Sequence, residues 1–95
     1  MASGTIPKLA QDVLFPRDAV WKDFPDGLHG AYYENSHGTI NLSTYDLPSY
    51  YCFMLVMKNG TRGVAVAIDW RNDKKLVWIN RLQGTWAGWY QLQAV

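Results

Sequence analysis

Charge is sparse in this chain and has no dominant sign. Nine Lys and Arg face eight Asp and Glu among 95 residues, for a net charge of +1. The signs are interspersed, so no basic stripe is available to follow a phosphate backbone, and nucleic acid is not expected as a partner. Cysteine is nearly absent. The single Cys52 rules out an internal disulfide framework, and its place in the apolar run 50–57 reads as a buried, inert thiol. No stretch approaches the ~18 apolar residues of a membrane span, and no charged-then-apolar leader is visible, so membrane insertion is not expected. The residues that carry common chemistries are missing too. There is no nucleophile elbow, no glycine-rich phosphate loop ahead of a helix and no Cys–His pairing. His29 and His37 flank one short segment containing Glu34, short of the three or four convergent ligands a metal needs. Asp69 with Asp73, or Glu34 with Asp46, are carboxylates that a glycosidase would pair, but nothing in their spacing fixes a separation. No catalytic residue, metal or cofactor is therefore assigned, and the chain is expected not to be an enzyme.

What the chain has in quantity is aromatic residues: five Trp, six Tyr and three Phe. So many large rings cannot all be hidden in a domain this short, so some are expected at a surface or an interface. The apolar pattern is that of strands. Residues 31–34 and 39–42 read as short strands. Residues 50–58 are apolar on both faces, as in a central strand covered on both sides. Asn59-Gly60 follows with the positive φ preference of a tight hairpin. Residues 64–70 alternate, with Val64, Val66, Ile68 and Trp70 on one face and Ala65, Ala67 and Asp69 on the other. A strand over residues 75–82, a turn at residues 83–85 and a closing segment over 86–93 complete the pattern. Pro25-Asp26-Gly27 supplies turn chemistry upstream, with Val20, Trp21 and Phe24 as anchors to the core.

The expected fold class is mostly β: a small antiparallel meander with a short helical or irregular N-terminal lead-in. Leu9, Val13 and Leu14 give the lead-in a weak helical spacing that Pro16 would end. Residues 1–17 are the lead-in, or a tether from a preceding shaft, and residues 18–95 the domain. Such a sheet has two apolar faces. The N-terminal segment can cover one, and a copy of the chain is a candidate cover for the other.

The segment Leu76-Val77-Trp78-Ile79-Asn80-Arg81-Leu82-Gln83-Gly84-Thr85-Trp86-Ala87-Gly88-Trp89-Tyr90-Gln91-Leu92 resembles the end of the pyocin-knob type domains that close phage tail fibres. It has the aromatic strand, the Arg (Arg81), the glycine turn, Trp-x-x-Trp (Trp86 and Trp89) and the final Leu92. Upstream, Asp23-Phe24-Pro25-Asp26-Gly27-Leu28 followed by Ala31-Tyr32-Tyr33 is similar to the start of those domains. Asn80 stands between Ile79 and Arg81, a departure that turns the Arg to the other face of its strand. The resemblance implies a fibre or baseplate tip, located on the virion tail. It implies a homotrimer that binds a bacterial surface glycan for host recognition. A structural trimerisation cap without a ligand is one alternative, and a cell-wall-targeting module of a lytic enzyme is another.

Two loops have the mixture of aromatic planes and polar groups that a pyranose ring needs. One contains Trp70, Asn72 and Asp73; the other contains Tyr45, Asp46 and Tyr50. These six are the candidate ligand-binding residues. Trp86 and Trp89 are expected to pack the closing strand onto the sheet.

Overall fold

The structure is a computed structural model that describes residues 14–34, 45–71 and 76–92. It contains one antiparallel sheet. The strands are β1 (Gly27–Glu34), β2 (Tyr51–Asn59), β3 (Arg62–Asp69), β4 (Val77–Gln83), β5 (Thr85–Trp86) and β6 (Tyr90–Gln91). They lie in the order β1-β2-β3-β4-β5, with β6 also on the outer edge of β4. The expected meander is therefore present. Its helical content among the described residues is slight, the 3-10 turn Trp21–Asp23 being the longest piece. Residues 1–13, which hold most of the expected lead-in helix, and the expected strand at 39–42 lie outside the described residues.

Two boundaries differ from the sequence reading for local reasons. β1 begins at Gly27, four residues early, because Leu28, His29 and Gly30 pair in register with Met57, Val56 and Leu55. Its two glycines hide a strand from any pattern of side chains. At the β2–β3 hairpin, Asn59 pairs with Arg62, so the two-residue loop is Gly60-Thr61 and Asn59 ends the strand. Gly60 alone has positive φ, 62°, as a two-residue loop with Gly first requires. The Asp26 carboxylate accepts the Gly60 N–H at 2.9 Å and fastens the start of β1 to this turn.

Alternation sorts the side chains into two faces. One carries Ala31 and Tyr33 from β1, Cys52, Met54 and Val56 from β2, Ala65 and Ala67 from β3, and Asn80 and Leu82 from β4, all buried. The small residues belong here because Trp21 fills the space above them. Its ring is wholly buried and meets Trp86 edge-on at 4.9 Å and Trp89 at 5.2 Å. Phe24 packs beside this core, whereas Val20 is exposed and does not anchor the segment as expected. A buried indole N–H needs an acceptor. Trp21 donates to the Tyr45 carbonyl at 2.8 Å and the Asp46 carbonyl at 3.2 Å, and Trp89 donates to the same Asp46 carbonyl at 2.7 Å.

The other face carries Tyr32, Phe53, Leu55, Met57, Val64, Val66, Ile68, Val77 and Ile79. It is open: Phe53, Met57 and Ile68 are 43%, 45% and 47% exposed. β2 is thus central in the sheet, but it is covered on one side among the described residues, not on both. The chain reaches this face at Phe15, whose ring lies over bare Gly30 and meets Phe53 edge-on at 5.7 Å. Residues 16–18 then cross the edge of β1, where Tyr32 donates to the Pro16 carbonyl and accepts from the Asp18 N–H.

The last segment is one strand broken by a bulge. Leu82 pairs with Trp86 and Ile79 with Tyr90, so four steps on the closing segment match three on β4. The extra residue changes the parity of Trp-x-x-Trp, and both indoles reach the core face. The Asn80 side chain closes the break, its Oδ1 accepting the Gly88 N–H at 2.9 Å. Gly88 has φ 112°, a conformation that other residues rarely adopt.

Two outcomes follow. Trp21→Ala is expected to cost about 3–5 kcal/mol, a large part of a domain's total of about 5–15 kcal/mol, and should lower the urea midpoint sharply. Gly88→Ala meets no steric obstacle but is strained, and should lower stability by about 1–3 kcal/mol in the same assay.

Candidate functional site

β1 and β3 end, and β2 begins, beside a small recess lined by Glu34, Tyr51, Trp70 and Arg71, with a volume of about 380 Å³. Trp70 follows the last residue of β3. Its backbone N–H donates to the Tyr51 carbonyl at 3.1 Å, and its Nε1 donates to the Tyr33 carbonyl at 3.1 Å. The ring is therefore fixed at both ends of the residue while staying 41% exposed. Tyr51 meets it edge-on at 5.7 Å, and the Arg71 guanidinium lies over the Tyr51 ring at 4.3 Å. Asp69 holds the approach in place. One carboxylate oxygen accepts the Ser49 hydroxyl at 2.7 Å and the other accepts the Arg71 N–H at 2.9 Å. The recess offers an aromatic surface, a cation and an acid within one small concavity, on a strand end that cannot shift without breaking ladder bonds.

Of the six sequence-predicted residues, Trp70 lies in this recess. Asn72 and Asp73, next in the chain, lie outside the described residues. Tyr50 is exposed at the bend before β2, one residue from Tyr51, which lines the recess in its place. Tyr45 and Asp46 have another task. The Tyr45 ring packs toward Tyr33 over the buried face, and both backbone carbonyls accept indole N–H groups. Asp46 adopts φ 53° and pairs through its carboxylate with Lys22. Their loop is a cover for the core, not a partner of Trp70. Sequence reasoning missed Glu34, Tyr51 and Arg71. For Tyr51, strict alternation back from Phe53 on the open face was the available signal.

Arg81 lies on the open face, its guanidinium 5.7 Å from the centre of the Tyr90 ring, while Asn80 points into the core. Across the hairpin end of the open face runs a wider shallow groove of about 680 Å³, with Leu28, Met57 and Val64 on its floor and Arg62 and Arg81 beside them. Compared with known proteins, the chain matches no family model, no curated protein and no solved structure.

Cys52 is fully buried. Burial, helped by the nearby Asp69 carboxylate, pushes its thiol up to about 12. Burial also drives the Tyr33 hydroxyl well above its usual range, with Cys52 adding to the effect. Its hydroxyl donates to the Ala19 carbonyl.

Both groups hold a proton in the folded state that the unfolded chain releases at lower pH. Stability from this source is complete below the unfolded thiol value of about 9 and is lost as pH rises above it. The denaturation midpoint is expected to fall steadily across that alkaline range. A thiol-specific reagent at pH 8 should leave native Cys52 untouched and react fully once the chain is unfolded.

Proposed function

We propose that this chain is a non-catalytic recognition domain that binds a bacterial surface saccharide at the Trp70 recess. The observation that carries the reading is the half-exposed Trp70 ring, locked by its bond to the Tyr33 carbonyl beside Tyr51, Arg71 and Glu34. A sugar presents CH groups to an aromatic plane and hydroxyls to charged neighbours. A ring already fixed loses little freedom on binding, which favours a weak but specific contact. Asn72 and Asp73 follow directly in the chain and are proposed to add hydroxyl contacts. The setting that suits such a site is the tip of a phage tail fibre or baseplate, as the resemblance of residues 76–92 implies. There a homotrimer on the virion tail would multiply one weak contact into useful avidity. The open apolar face favours a second reading, a trimerisation cap with no ligand, in which Trp70 is a strand end and nothing more.

Binding to purified bacterial polysaccharides on an array separates the two. Trp70→Ala is expected to weaken binding about tenfold, a loss of about 1.4 kcal/mol. Trp70→Phe should retain part of the affinity because it keeps an aromatic face. An array that is silent for the wild-type chain, or identical for wild type and Trp70→Ala, removes the recess from the account and leaves the cap.

A further inference from the structure

We infer that the hairpin end of the open face is a second binding site, for a small amphiphile in which an alkyl chain ends in an oxyanion head. The site is the groove of about 680 Å³ at that end, a volume within the range of small-molecule pockets, about 300–1,000 Å³. The groove and the Trp70 recess lie at opposite ends of the same strands and share no lining residue.

Register builds the groove around one row of side chains. Leu28 pairs with Met57, Met57 with Val64 and Val64 with Arg81, so the four lie side by side across β1 to β4. Strands about 4.8 Å apart give the row a length of about 14 Å, close to the reach of an extended dodecyl chain. The row is apolar until its last member. Met57 at its centre is 45% exposed, and an unbranched thioether adapts readily to an alkyl chain. No aromatic plane lines the groove, which sets its ligand apart from a sugar.

The cationic end decides which head the ligand carries. Arg62 stands opposite Gln83, and Arg81 stands opposite Val64, so the two arginines are diagonal neighbours on one face. Diagonal cross-strand neighbours lie about 7–8 Å apart, within reach of long side chains, and like charges placed so close repel. Neither arginine is paired with a carboxylate among the described residues. Arg62 donates to the adjacent Thr61 hydroxyl at 3.4 Å, and Arg81 lies toward the Tyr90 ring. Asp26, the acid at this end of β1, accepts the Gly60 N–H instead. Lys58 is also engaged, its Nζ donating to the Phe24 carbonyl at 2.9 Å. Two planar donor forks that face each other's charge beside an apolar floor are complementary to an oxyanion on an apolar tail.

Isothermal titration calorimetry on the full chain tests this, with dodecyl phosphate kept below its micelle concentration. Saturable binding of one molecule per chain is expected. Arg62→Gln and Arg81→Gln change exposed side chains, so each should keep its strand circular dichroism while weakening binding about tenfold. Dodecyl maltoside keeps the chain without the charge, and inorganic phosphate keeps the charge without the chain. Each is expected to bind about tenfold more weakly than dodecyl phosphate, or not at all. Trp70→Ala should leave the titration unchanged, which separates this groove from the saccharide site. Dodecyl maltoside binding as tightly as dodecyl phosphate, or an affinity that neither arginine substitution moves, overturns the site. Co-sedimentation with vesicles of anionic phospholipid distinguishes a single bound molecule from a bilayer. Pelleting that both arginine substitutions abolish, in a chain that gives no heat with dodecyl phosphate, overturns the groove in favour of a membrane surface.

Discussion

Two indole N–H groups and two adjacent carbonyl oxygens hold this domain closed. Trp21 bonds the Tyr45 and Asp46 carbonyls, and Trp89 bonds the Asp46 carbonyl again. Each side of the arrangement supplies what the other lacks. A loop laid over a core has carbonyls that no ladder satisfies, and a buried tryptophan has a donor that apolar neighbours cannot accept. The contact also sets the rest of the core. The core face that the three indoles share also carries the small Ala31, Ala65 and Ala67. The bulky β-branched residues of β3, Val64, Val66 and Ile68, then point the other way by alternation alone.

The bulge before β6 serves the same contact. Residues three apart on a regular strand point to opposite faces, so Trp86 and Trp89 could not both reach Trp21 from an unbroken one. Inserting one residue solves this, but it strands a backbone N–H at Gly88. Asn80, alone among polar residues in being fully buried among those described, supplies the acceptor. The extra Asn between Ile79 and Arg81 therefore has a structural use. It places an amide in the core and sends Arg81 to the open face.

The meander was legible because turn chemistry and period-two alternation are written in side chains: Gly60, Gly84 and the Val-Ala repeat of β3 all report on local backbone. The core role of Trp86 and Trp89 was legible from their position in a closing hairpin, although the bulge that aligns them was not. The task of Tyr45 and Asp46 was hidden for a specific reason. Their main bonds are made by backbone carbonyls, which any residue possesses, so an aromatic and an acid in a loop suggested a ligand. Trp70 was found because an aromatic at a strand end beside polar residues is unusual. Its neighbours Glu34 and Arg71 were not, because Glu34 comes from the far end of β1 and Arg71 read as one residue of a solvated turn.

The two surfaces proposed for binding have one origin. With Trp21, Trp86 and Trp89 gathered on the core face, the aromatic residues left over lie on the open face or at the strand ends: Tyr32 and Phe53 on one, Trp70 and Tyr51 on the other. A single small sheet cannot cover both of its faces from its own described residues, so whichever face the tryptophans abandon must meet something else or remain wet. Valine, isoleucine and phenylalanine at consecutive same-face positions gain nothing from remaining wet; with Phe53 and Ile68 a little under half exposed, each forgoes roughly half of the 1.5–3 kcal/mol of full burial. Strands also need no such residues on a solvated face, where threonine would keep the β preference. A face that is β-branched, aromatic and uncharged through its centre is therefore not explained by strand propensity alone, and by register the Trp70 recess is its continuation at the Glu34 end.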